Sequence, residues 1–228
     1  MAQETLITAW EVVKHSPESD KFPTGLVQPH IYPKEQTFRR VYLGKEFYDL
    51  LLADKVDYGV VEEWDATATY ASGDYVDYFG TTLVSLTSGN NTQPCEDQAG
   101  EFWEEPDKFT TECYQNLWDL YLRQYLAYYI IPAALPHATY PSGGKGVTEW
   151  IDDGSMRQGA GSKSASQGVL ASRLNILQNE ANEILQNMRD WMNDQNDAGT
   201  CDFSLAIPCI ESNPTPQRRR IAYRSGYE

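Results

Sequence analysis

The sequence predicts a mainly α fold, a helical bundle with a small inserted β module. Apolar residues recur at helical spacing in residues 6–53 and again in residues 114–193. Between them, residues 60–109 interleave aromatic residues with Thr, Ser, Gly and Asp, which is typical of short strands and turns. The 228 residues are 41% apolar and 12% aromatic, enough for a buried core, and no run of 18 uncharged apolar residues predicts a membrane span.

The first part of the bundle, residues 1–59, is expected to hold three helices. They cover residues 6–14, 27–42 and 45–53. The first helix should stop before Pro17, because the residue before a proline disfavours the helical conformation. The second should be broken or kinked near Pro33 and end at Leu43-Gly44, since Gly suits the left-handed position after a helix.

The inserted β module is expected to span residues 60–109. Residues 74–78 alternate polar and apolar side chains, Gly80 supplies a turn, and residues 82–86 form a second strand. A module of about 50 residues has a small core. We therefore expect it to depend on the helices for stability.

The second part of the bundle, residues 110–200, should hold two more helices. One covers residues 114–130 and ends at Pro132; its apolar residues surround the helix, which predicts burial by the domain core and by a neighbouring subunit. The other covers residues 166–193, and packing inside its own bundle is favoured over an intermolecular coiled coil because the flanking residues are neutral. Its predicted seam is Leu170, Leu174 or Arg173, Leu177, Ala181, Ile184, Met188 and Trp191. Residues 140–168, rich in Gly and Ser, are expected to form a flexible loop.

The last segment, residues 201–228, is expected to be an extended basic arm. Residues 214–228 hold four of the 18 basic groups and one of the 33 acidic groups, so these fifteen residues carry +3 and the rest of the chain −18. Pro214 and Pro216 favour an extended approach to the arginines. The arm suits an acidic partner, and a solvated terminus is the alternative.

The sequence contains no pattern that predicts enzymatic chemistry. It lacks the nucleophile-elbow, phosphate-loop and zinc-protease motifs, and the pairs Glu62-Glu63, Glu104-Glu105 and Asp152-Asp153 are interpreted as solvated charge. The net charge of −15 argues against nucleic-acid binding. Three histidines and four cysteines without a CxxC pair give poor support for zinc, so no metal and no cofactor is expected. Cys201 and Cys209 are expected either to form a clip that closes a short loop or to be two buried or idle thiols, which a reducing cytoplasm favours.

The β module resembles small chitin-binding-type carbohydrate modules over about 40 residues. The resemblance rests on Trp64, a Tyr70-x-x-Gly73-Asp74-x-Val76-x-Tyr78 strand, a turn and a closing Trp103. It implies that sugar rings stack on the exposed faces of Trp64, Tyr70, Tyr75, Tyr78 and Trp103. A structural role for these rings is favoured, because a small module needs its aromatic residues as a core. Sugar binding or adhesion is the alternative function, and an enzyme of unfamiliar type is a third.

The helical parts, about 150 residues, resemble the head-to-tail connector adaptor proteins of tailed bacteriophages, and of crAss-like short-tailed phages in particular. The residues that carry the resemblance are His30-Ile31-x-x-x-Glu35-x-x-Phe38, Tyr42-Leu43-Gly44-x-Glu46-Phe47-Tyr48-x-x-Leu51, Leu117-Trp118-x-x-Tyr121-Leu122-x-x-Tyr125-Leu126-Ala127 and the step Gly146-Val147. In that family an N-terminal helix, a helix ending in Leu-Gly, a Tyr-rich helix and a long C-terminal helix follow one another.

This resemblance implies a non-enzymatic virion protein with a helical adaptor fold. It implies a dodecameric ring that joins the portal to the tail, contacts further tail or ring proteins and lets DNA pass without specific binding. The protein would be assembled in the bacterial host cytoplasm, a location also suggested by the lack of a visible signal peptide. The arm residues Arg218, Arg219, Arg220, Tyr223 and Arg224 would contact a neighbouring ring or the portal, with the portal favoured.

Overall fold

A computed structural model describes residues 4–17, 22–97, 99–139 and 167–206. These residues are mainly helical and include one small antiparallel sheet, as the sequence predicts. The predicted arm residues 218–220, 223 and 224, and nearly all of the predicted loop 140–168, lie outside the described residues.

Helix α1, Ala9–His15, begins one residue after the N-cap Thr8. The Thr8 hydroxyl accepts a hydrogen bond from the backbone N–H of Glu11, and the Glu11 carboxylate accepts one from the N–H of Thr8. This reciprocal cap explains why the helix starts later than the apolar pattern predicts. Leu6 and Ile7 precede it, and their N–H groups donate to the carboxylate of Glu35.

Helix α2, Thr24–Phe38, runs through Pro29 and Pro33 without a break, so a break near Pro33 is wrong, and it continues as a π-helical turn, Arg39–Leu43. It ends at Gly44, whose φ of 89° is a conformation that glycine adopts without strain and that other residues adopt only at a cost. Helix α3, Lys45–Ala53, follows directly. The predicted Leu43-Gly44 end and the bounds of α3 are confirmed.

The β module contains three short strands in the order β1-β2-β3. They are β1, Tyr75–Tyr78, β2, Thr81–Ser85, and β3, Trp103–Glu104. A two-residue turn at Phe79 and Gly80, both with positive φ, joins β1 to β2. The core of the module combines Val76, Tyr78, Leu83 and Trp103 with Trp10 from α1, so the module borrows a large side chain from the helices.

The Tyr-rich segment runs as α4, Glu112–Leu117, a π-helical stretch, Trp118–Leu122, and α5, Arg123–Thr139. The predicted end at Pro132 is wrong, because α5 continues through Pro132 and Pro136. A proline inside a helix costs about 3 kcal/mol. Burial of Ile130, Ile131 and Ala134 beside these prolines offsets that cost.

Helix α5 packs against α1, α2 and α6, so its apolar surface is largely buried within one chain. The apolar surface of α5 therefore gives no reason to expect a neighbouring subunit, because helices of the same chain cover it. Helix α6, Gln167–Asp197, packs on α5, as the bundle interpretation predicts. Its buried residues are Leu177, Ala181, Leu185, Met188 and Met192. Four residues of the predicted seam are only partly buried, because a straight helix departs from a strict heptad repeat: Leu170, Leu174, Ile184 and Trp191. Arg173, the alternative to Leu174, is exposed.

A disulfide joins Cys113 at the start of α4 to Cys201 after α6. Both alternatives that the sequence left open for Cys201 are therefore wrong, and Cys209 lies outside the described residues. The physical reason is tertiary: Phe203 is fully buried and packs against Phe47, Tyr114 and Trp191, which brings the segment after α6 beside α4. Residues 201–206, the first six of the predicted arm, are thereby held at the helical core.

The variant Cys113→Ser/Cys201→Ser is expected to lose about 2 to 4 kcal/mol of unfolding free energy, because the bridge closes a loop across 88 positions. Urea denaturation of the oxidised proteins measures the loss. The matched control is Cys95→Ser, since Cys95 is an exposed free cysteine. Equal stability of the double variant and the parent would contradict the bridge.

Candidate functional site

The five aromatic residues predicted for sugar binding take three different environments. Tyr78 and Trp103 are buried, and Trp64 and Tyr70 are partly buried against the core of the module. Tyr75 is the exposed one, at 47% of its surface. The described structure thus brings four of the five into or against one core and leaves one at the surface.

The rings of the module meet edge to face. The ring planes of Trp64 and Tyr78 make an angle of 87°, and those of Tyr70 and Trp103 an angle of 68°. Trp10 meets Tyr78 at 88°, and the indole N–H of Trp103 donates to the carbonyl of Thr92. Edge-to-face packing is typical of a protein core, whereas a sugar platform needs flat rings open to solvent. The aromatic cluster therefore serves packing.

A buried ion pair lies where the module meets the helices. The ammonium of Lys108 contacts the carboxylate of Glu11, donates to the carbonyl of Leu6 at 2.9 Å and lies 4.1 Å from the ring centroid of Trp118. The Glu11 side chain is 2% exposed. Burial lowers the pKa of Lys108, and the charge of Glu11 opposes that shift.

Glu105 forms a second charged cluster at the same junction. Its carboxylate lies 2.6 Å from the Lys14 ammonium, 3.4 Å from the His15 ring and 3.2 Å from the Arg123 guanidinium. Burial raises the pKa of Glu105, but the hydrogen bond from His15 and the charge of Lys14 outweigh it, so the net pKa lies well below its usual range. The interpretation of Glu104-Glu105 as solvated charge is wrong for Glu105. Successive side chains of a strand point to opposite faces, so Glu104 is exposed while Glu105 faces the helices.

A cavity of about 260 Å³ lies at this junction. Glu11, Glu105, Lys108 and Arg123 line it together with the turn residue Gly80. The hydroxyls of Thr8 and Thr81 share a hydrogen bond at its edge, which ties the cap of α1 to β2. Each of these charged groups has an ion-pair partner, and the pairs Glu11–Lys108 and Glu105–Arg123 join the module to the helices.

Glu35 is a buried acid of the helical core. Its carboxylate accepts hydrogen bonds from the backbone N–H groups of Leu6 and Ile7, at 3.0 and 2.9 Å, and from the hydroxyl of Tyr48. Burial raises the pKa of Glu35 and also that of Tyr48. Glu35 fixes the segment before α1 onto α2, which is a structural role.

Sequence reasoning missed Glu11, Glu105 and Lys108 as a set. The Thr8-x-x-Glu11 spacing is a capping-box signal that was available for Glu11. Nothing local marks Lys108 or Glu105, because their partners lie 97 and 91 positions away in the chain. Across the described ranges, no group of three or more His, Cys, Asp or Glu is placed to hold a metal ion, and no helix is long and apolar enough to cross a membrane.

Comparison with known proteins finds no family model, no curated protein and no solved structure that matches this chain.

Proposed function

We propose that this protein is a non-enzymatic structural subunit of a tailed-phage virion, a head-to-tail connector adaptor that forms a ring between portal and tail. The observation that carries the proposal is the order of the helices. A short N-terminal helix, a helix ending at Leu43-Gly44, the Tyr-rich segment of α4 and α5 and the long α6 follow one another as the resemblance implies.

The position of the β module is compatible with this function. It is inserted between α3 and α4, and it is tied to the helices by Trp10, by the Lys108–Glu11 pair and by the Glu105 cluster. An insertion held this firmly changes the outline of the subunit without interrupting the helical order. Of the five rings that the carbohydrate-binding alternative would use, all lie in the described residues and Tyr75 alone is exposed, which gives that alternative little support.

Two further properties support the proposal. Disulfides form and persist on virions once these have left the reducing cytoplasm. The Cys113–Cys201 bridge is therefore compatible with a virion protein. The net charge of −15 suits a channel that DNA passes without adhering, because like charge lowers affinity for phosphate. The ring of twelve, the portal contact and the virion location come from the resemblance.

The expected result in solution is a closed ring, formed by the protein alone or on addition of its portal. Native mass spectrometry of the 25.8 kDa chain, with and without portal, measures the stoichiometry. Twelve copies would agree with the family. A monomer mass under both conditions would refute the proposal.

A further inference from the structure

The β module has an outward sheet face that its core does not use. Residues paired across strands share a face, so the register defines two rows on this outer face. The rows are Glu63, Asp77 and Thr82, and Tyr75, Val84 and Glu104. The ring of Tyr58 packs on Tyr75 with the centroids 5.1 Å apart. Tyr75, Glu63 and Glu104 remain exposed.

The charge of this module is almost entirely negative. Residues 60–109 contain eleven Asp and Glu and one basic residue, Lys108, which is paired with Glu11 of α1. Glu105 is neutralised by side chains of the helical core. Within the described part of the chain, no Lys or Arg lies within ion-pair distance of Glu63 or Glu104. The outer face therefore combines an exposed tyrosine with carboxylates whose charge is not neutralised there.

That combination suits arginine. A guanidinium stacks on an aromatic face and donates two parallel hydrogen bonds to a carboxylate, which an ammonium cannot do. The chain carries such a segment, Arg218-Arg219-Arg220-Ile221-Ala222-Tyr223-Arg224. Arg218 follows the buried Ala206 by twelve residues, a reach of about 40 Å when extended.

We propose that the outer face of the sheet, centred on Tyr75, Glu63 and Glu104, is the docking site for the segment 218–224 of a second copy of this chain. A second copy is specified because Pro214 and Pro216 favour an extended approach that carries the arginines away from their own anchor. Each copy then offers one basic segment to one neighbour and one acidic face to the other. Such contacts are head-to-tail, and they close into a ring. The inference rests on the proposed function only for that closure.

The face is tested with a labelled synthetic peptide of residues 212–228. Its host is the full-length chain carrying Arg218→Ser, Arg219→Ser and Arg220→Ser, which weakens competition by the host's own segment. Fluorescence anisotropy at low salt is expected to show binding. The host variant Glu63→Gln/Glu104→Gln should bind about three- to tenfold more weakly, as for the loss of two exposed ion pairs. Tyr75→Thr, which keeps a residue suited to a strand, should also weaken binding.

The matched control is Glu180→Gln, an exposed carboxylate on α6, which should leave the affinity unchanged. A scrambled peptide of the same composition should bind more weakly than the native peptide. Absence of peptide binding at low salt, equal affinity of the parent and carboxylate-variant hosts, or equal affinity of the two peptides would overturn the docking site. The carboxylate variants change only exposed side chains, so loss of fold does not obscure the result.

The second copy is tested by the concentration dependence of the mass of the wild-type chain. Self-association that weakens in Glu63→Gln/Glu104→Gln but not in Glu180→Gln is expected. Peptide binding by the host without self-association of the wild type would place the segment on its own sheet and overturn the second copy. Association of two or a few copies without a portal-bound ring would leave this inference standing while refuting the connector function.

Discussion

The variant Lys108→Met is expected to lower the free energy of unfolding by about 3 to 5 kcal/mol. Glu11 is 2% exposed and would keep a buried charge with one backbone donor, the N–H of Thr8. The cation above the Trp118 ring would be lost as well. Urea denaturation monitored by tryptophan fluorescence gives the change.

Two comparisons separate the buried charge from the loss of the lysine itself. Lys45→Met removes an exposed lysine that pairs with Asp49, and it should cost less than about 1 kcal/mol. The double variant Lys108→Met/Glu11→Gln should recover most of the stability, because no charge remains buried while Gln still accepts from Thr8. A double variant as unstable as Lys108→Met would show that packing, and not charge, explains the loss.

The variant Trp10→Ala is expected to lower the free energy of unfolding by about 3 to 5 kcal/mol and to loosen the β module first. Trp10 is 8% exposed and is one of five buried side chains in the module's core. The other four buried side chains are too few to fill the space that the indole ring would leave. Hydrogen exchange should show that the amides of Val76 and Leu83 lose more protection than those of Leu126 and Ile130 in α5.

Leu120→Ala serves as the control, because Leu120 is half exposed and should have a small effect on either part of the molecule. If the strands of the Trp10→Ala variant kept their protection while α5 lost it, the module would be stable without the helices. That outcome would contradict the shared core.

The order and type of the elements followed from the sequence where the signal is local. Gly44 ends the Arg39–Leu43 turn, and Gly80 lies in the turn that separates β1 from β2; both have positive φ, which glycine adopts without strain. The period of 3.6 located α3 and α6, since one buried face of a helix repeats at that spacing. Expectations of this kind need only neighbouring residues.

Four features were decided by tertiary structure alone. Helix α5 continues past Pro132, Trp10 enters the core of the β module, Cys113 pairs with Cys201, and Glu105 turns inward to Lys14 and Arg123. In each case the stabilising partner lies far away in the chain, and a one-dimensional pattern carries no record of which distant residues meet. The sequence by itself determined the type and order of the helices and strands and the local stops at Gly44 and Gly80. Packing determined how far α5 extends, which elements share a core and which charges are buried together, because burial and ion pairing depend on distance in space.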